Sequence, residues 1–135
     1  MNPENRINVS SGTPWEESVG YSRAVRVGSQ LFVSGTTASD ENGNTIAVGN
    51  AYAQSVFIFD KIAAALKELG ASMDDVVRTR MYVTDIENWE QVGKAHGEVF
   101  ATIRPVSTLV EVSQLVNSDH LVEIEVDAIT GNSGS

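Results

Sequence analysis

Leu121-Val-Glu-Ile-Glu-Val-Asp-Ala-Ile129 alternates cleanly from Glu123 onward: Ile124, Val126 and Ala128 share one side, Glu123, Glu125 and Asp127 the other. A period of two marks a strand whose sheet rests one face on a core and turns charge to the other. Upstream, Val76-Val-Arg-Thr-Arg-Met-Tyr-Val83 reads as a strand by its β-branched and aromatic content. After the interruption at Pro105, Thr108-Leu-Val-Glu-Val112 reads as another. Towards the start, Arg6 to Val9 suits a short strand before the turn-rich Ser10-Ser-Gly-Thr-Pro14. Arg23-Ala-Val-Arg-Val27 and Leu31-Phe-Val-Ser34 flank Gly28-Ser29-Gln30, a hairpin connector.

Between the strands lie two helical patterns. Asn50 caps the first, and Val56, Phe59, Ile62, Ala63 and Leu66 recur on one face, with Gly70 placed just past its end. Asp85 or Asn88 caps the second, whose stripe is Trp89, Val92, His96, Val99 and Phe100. Gly93 and Gly97 weaken that helix intrinsically, so it depends on packing. The order βββαβαββ, with two helices able to cover only one face of a single mixed sheet, makes the fold α+β. Leu109 and Tyr82 are expected on the opposite face beside the charges, where they meet either water or an interface.

At 135 residues the chain suits a single domain over 1–130, with the polar Gly131-Asn-Ser-Gly-Ser135 expected to fray. A chain of this length buries roughly 68% of its unfolded surface, enough for a core without metal or disulfide. It has no cysteine, which excludes thiolate catalysis and is compatible with a cytoplasmic location. No secretory leader is expected at Met1 to Ile7, and no stretch reads as a membrane span. Eighteen acidic against nine basic residues give a net charge of -9, which repels phosphate backbones and argues against nucleic acid as a partner.

Few residues suggest chemistry unaided. Arg78 and Arg80 alternate with Tyr82 and could face the acids of the last strand across a polar cleft. The plain alternative is a solvated face of loose ion pairs, each worth about 0–1 kcal/mol. His96 belongs to a helix stripe, as a packed or half-exposed residue, and His120 to the polar loop Asn117-Ser-Asp-His120. Neither has a second ligand at metal spacing, so no metal and no cofactor are expected. Ser34 precedes Gly35 without a nucleophile elbow, and Gly28, Gly35 and Gly43 form no phosphate-binding pattern.

Several blocks, in order, share a likeness. Arg104-Pro-Val-Ser-Thr-Leu-Val-Glu-Val112 is followed by Leu115 and by Val122-Glu-Ile-Glu125. Gly20-Tyr21, Val33-Ser34-Gly35, Ala71-Ser-Met-Asp-Asp-Val-Val77 and Tyr82-Val-Thr-Asp85 precede them. Together they resemble the Rid family (RidA/YjgF-like reactive intermediate deaminases) from about Gly20 to Ile129. The resemblance implies a chorismate-mutase-like fold and a homotrimer whose sheets face inward, with small-molecule clefts between subunits. It implies hydrolysis of imine and enamine intermediates, with Glu123 placing the attacking water and Tyr21, Ser34 and Gly35 lining the cleft.

The family's carboxylate-binding arginine falls on Ser107 and its cysteine on Leu109. Losing one partner of a buried charged hydrogen bond costs about 2–5 kcal/mol, so hydrolysis of ordinary 2-imino acids is not expected. Arg80 is the replacement anchor favoured by its alternation with Tyr82, against a structural ion pair with Glu123 or Glu125. Arg23 and Arg104 are the other candidate cations. Two readings follow: a Rid-type hydrolase or deaminase for C=N compounds, and a non-catalytic trimer that binds a small metabolite or regulates a partner.

Overall fold

A computed structural model describes residues 5–131, so residues 132–135 of the expected tail lie outside the described residues. The strands are β1 (Arg6–Val9), β2 (Ala24–Val27), β3 (Gln30–Thr36), β4 (Val76–Val83), β5 (Val106–Glu111) and β6 (Val122–Ile129). The helices are α1 (Pro14–Val19), α2 (Ala51–Glu68) and α3 (Trp89–Phe100). The six strands form one mixed sheet in the order β1-β2-β3-β6-β4-β5. Only β4 and β5 pair in parallel. A parallel pair needs a long crossover, and α3 supplies it.

The quoted stretch sits at the sheet's centre, between β3 and β4. Ile124, Val126 and Ala128 are buried, as their alternation required. Leu31 and Val33 of β3 join them, with Met81 and Val83 of β4, Ile58, Ile62 and Leu66 of α2, and Val92 and Phe100 of α3. Asn50 caps α2 by accepting from the Ala53 amide at 2.9 Å. Gly28, at φ 61°, opens the two-residue turn between the paired Val27 and Gln30, a conformation that a side chain would strain.

Four expectations need correction. The segment after Ser10 is not all turn: Pro14 opens α1, and Gly20 ends it at φ 93°. Asp85 caps a separate turn of 3₁₀ helix by accepting from the Glu87 amide, whereas Asn88, the residue before α3, makes no side-chain cap. Trp89 starts the second helix's stripe in sequence but is 54% exposed, and the buried residues of α3 are Val92, Ala95 and Phe100. Leu109 does not lie on the uncovered face. Its parallel register opposes it to buried Met81, so it packs against the core under the helices.

Candidate functional site

The uncovered face carries the acids of β6 as the alternation predicts. Tyr82 lies opposite Glu123, Arg80 opposite Glu125, and Arg78 opposite Asp127. Arg80 Nη1 stands 3.8 Å from Glu125 and 3.5 Å from Asp127, and Arg78 Nε stands 3.7 Å from Asp127. All four side chains are partly exposed, so these pairs are each worth about 0–1 kcal/mol. The Tyr82 hydroxyl donates to Glu125, and that bond raises the phenol's pKa.

Glu123 has different company. The pairing of β3 with β6 shifts register between Val33 and Thr36, and the irregular pair there is Ser34-Gly35. Such bulges commonly re-aim side chains beside functional sites. Here Gly35 leaves room for the Glu123 carboxyl: a Cβ on Gly35 would lie 2.9 Å from Glu123 Cδ and closer still to Oε2. Burial pushes the Glu123 carboxyl above the usual carboxylate range, with Arg23 opposing and Glu125 reinforcing the shift.

Arg23 reaches the same place from the chain between α1 and β2. Its Nη2 donates to the Gly35 carbonyl at 2.6 Å, while its Nε is buried without a partner among the described residues. Burial lowers its pKa, and Glu16, Tyr21 and Glu123 pull it back up. Ser34 Oγ donates to the Ser22 carbonyl at 2.6 Å, fixing the bulge against the same segment. Tyr21 is exposed and shares with Ser34, Phe32, Glu125 and Asp127 the lining of an open concavity of about 450 Å³.

Tyr21, Ser34, Gly35 and Glu123 therefore gather around Arg23 at the β3 side of β6. Arg80 lies further along, engaged by Glu125 and Asp127. Ser107 and Leu109 are elsewhere: they point to the helix-bearing face of edge strand β5, with β4 between them and β6, roughly 10 Å of sheet. One chain does not bring Ser107 to Glu123. Arg104, three residues before Ser107, is exposed and holds φ 55°, a sterically uncommon conformation for a residue with a side chain.

Two groups near Ser107 had no place among the expected site residues. Thr79 of β4, fully buried, donates to Ser107 Oγ at 2.8 Å, and His96 Nε2 lies 2.9 Å from the same threonine oxygen. The visible signal was a hydroxyl residue inside a β-branched strand, which alternation alone assigns to packing. His120, the other histidine, holds the Ser39 hydroxyl at 2.8 Å. Among the described residues no group of three or more His, Cys, Asp or Glu is placed to hold a metal ion. None of the described helices is long and apolar enough to cross a membrane.

The sequence profile of the endoribonuclease L-PSP family matches residues 14–130. The chain belongs to this family, the Rid (RidA/YjgF-like) family. A Streptomyces coelicolor protein is 38% identical over 131 residues, 97% of each chain. A 3-aminoacrylate deaminase RutC from Acinetobacter baylyi is 30% identical over 118 residues, 87% of this chain and 92% of its own. A crystal structure of a YjgF/YER057c/UK114 member from Mycobacterium tuberculosis superimposes with a TM-score of 0.84 at 46% identity, covering 93% of this chain and 99% of that one. The Rid fold, a single mixed sheet with its helices on one face, is thus shared with solved relatives.

Proposed function

We propose that this Rid protein hydrolyses an imine, enamine or related C=N metabolite in a cleft formed between subunits of a cytoplasmic homotrimer. The observation that carries the reading is Glu123: a carboxyl with its pKa raised by burial, seated against a glycine bulge beside a guanidinium. A base whose pKa is lifted towards working pH transfers protons more effectively than an ordinary carboxylate. The deaminase relative from Acinetobacter baylyi supports the reaction class.

In this mechanism Glu123 accepts a proton from water as the water oxygen bonds to the C=N carbon. The imine enters protonated on nitrogen, so the π pair of the C=N bond moves to nitrogen and leaves a neutral amino group beside a hydroxyl. Glu123 then passes its proton to that nitrogen, the C–N bond breaks as the carbonyl forms, the hydroxyl proton returns to Glu123, and ammonia leaves. An enamine enters the same sequence after protonation on carbon. Tyr21, Ser34 and Gly35 shape the pocket, and Arg23 stabilises the negative charge of Glu123. Since Arg80 spends its guanidinium on Glu125 and Asp127, Arg23 is the better-placed cation. Ser107, exposed on β5, enters the cleft from a neighbouring subunit, and Leu109, packed against its own core, backs that strand.

The test generates imines in situ with an amino-acid oxidase and follows their decay by semicarbazide trapping. Faster decay with the protein, lost in Glu123→Gln of unchanged oligomeric mass, is the expected result. No acceleration across several side-chain classes and their amides would overturn the hydrolase reading. One observation favours a second reading, a non-catalytic trimer that binds a small metabolite or partner. Ser107 brings no charge, and its oxygen already accepts from Thr79. Ligand binding that persists without any turnover would select it.

A further inference from the structure

Under α3, on the sheet face away from Glu123, three side chains form a hydrogen-bonded line. The Thr79 hydroxyl has a single proton and donates it to Ser107 at 2.8 Å. In the tautomer that carries its proton on Nε2, His96 donates to that threonine oxygen, 2.9 Å away. The His96 ring is held in place by Phe59 and Phe100, with ring centroids 5.9 and 4.6 Å away. Burial lowers its pKa, which keeps the ring neutral near pH 7. The donors consequently run one way, from His96 to Thr79 to Ser107, and aligned hydrogen bonds polarise one another. Ser107 is exposed on an edge strand, with Thr79 on its oxygen and its own proton left to donate.

We propose that this line makes Ser107 a neutral donor that selects ligands bearing an uncharged acceptor, an amide or ester carbonyl, over free carboxylates. The inference rests on the cleft reading above, because it places Ser107 at the ligand. A carboxylate set against one hydroxyl loses its hydration without gaining a counter-charge, whereas a carbonyl needs only the one donor. Ser107 is the residue that touches the ligand. Thr79 and His96 are positioning residues that act through it.

The test titrates 2-oxobutanamide and 2-oxobutanoate, the neutral and acid forms of one hydrolysis product, into the intact protein by calorimetry. The amide is expected to bind at least about tenfold more tightly than the acid, the range that one matched buried hydrogen bond discriminates. Ser107→Ala, at an exposed position, should remove the preference, and Ser107→Arg should reverse it. Thr79→Val should weaken the amide selectively, with Thr79→Ser restoring it; a purely structural role would weaken both probes alike.

Equal affinities, neither probe binding at millimolar concentration, or a Ser107→Ala variant that keeps the preference would overturn the proposal. An acid-preferring protein would also overturn it and point to Arg104 as the anchor. Glu123-dependent imine hydrolysis without an amide preference would sink this inference alone. An amide preference without hydrolysis would sink the hydrolase alone.

Discussion

At Gly35 the difference between a hydrogen and a methyl group decides where the Glu123 carboxyl can sit. Gly35→Ala would drive a Cβ into that carboxyl, and the bulge is tied to Ser22 and Arg23, so the side chain is the part that yields. A displacement near 1 Å in a water-orienting group costs roughly a hundredfold in kcat/KM. That loss, read in the imine assay with the melting temperature nearly unchanged, is the expected outcome for Gly35→Ala. Glu123 also makes a signed pH prediction. Its folded pKa is raised, so the folded state holds the proton more tightly and loses stability as pH rises from 4.5 through the raised value. Glu123→Gln removes that penalty: it should melt higher than the parent at neutral pH, and the gap should close below pH 4.5. A gap that persists in acid would locate the effect in packing instead. Sequence periodicity put Glu123 on the uncovered face, but it favoured Arg80 over Arg23 as the cation. The opposite ranking proposed above rests on register, which sets Arg80 opposite Glu125 and leaves the β3 bulge to Arg23. Arg23→Gln should lower turnover at least about tenfold, as loss of a charged partner does, while Arg80→Met changes stability by less than about 1 kcal/mol.

Among the elements, α2 was legible because a cap, a stripe and a terminal glycine all agreed, and the least legible was α1. A helix of six residues has too few positions to show a period, and Ser10-Ser-Gly-Thr-Pro14 looks like punctuation. What holds it is Glu16, a buried carboxylate that accepts from the hydroxyls of Ser10 (2.8 Å) and Ser11, and from the Ser11 amide at 3.1 Å. Burial raises its pKa, yet these bonds, with Arg23, outweigh burial and leave it below the ordinary carboxylate value. Being depressed, the group stabilises the fold above pH 4.5, and that contribution is lost as pH falls through the folded value. Glu16→Ala should cost about 1–3 kcal/mol by urea denaturation at neutral pH, and less in acid. Because α1 leads directly into Tyr21 and Arg23, the same variant should also weaken ligand binding. Strand β5 shows the other limit of sequence reading. Ser107 and Leu109 alternate correctly with their neighbours, but which side they take depends on the parallel partner β4, and nothing within β5 records that partner.

For the molecule as a whole, helices on one side of a six-stranded sheet leave the other side bare, and that side is not a water-facing mosaic throughout. Phe32 is 44% exposed in the middle of β3, and on edge strand β5 Val106 and Val110 are exposed next to Arg78 and Tyr82. Edge strands with apolar side chains invite pairing with another chain, so an assembly that covers them is the expected solution. Such an assembly would also resolve the separation of the proposed site residues. Ser107 and Glu123 of one chain face opposite sides of the sheet, but β5 of a second chain laid beside the β3 bulge would bring the two together. Light scattering at micromolar concentration should accordingly give three times the mass of the chain. Phe32→Glu sets a second carboxylate beside Asp127, its cross-strand partner, where like charges repel once water is excluded. It should shift the population towards monomer and abolish turnover together, with the far-ultraviolet circular dichroism unchanged. A monomeric parent protein would remove both the trimer and the shared cleft, whereas an active Phe32→Glu monomer would spare the chemistry and confine the whole site to one chain.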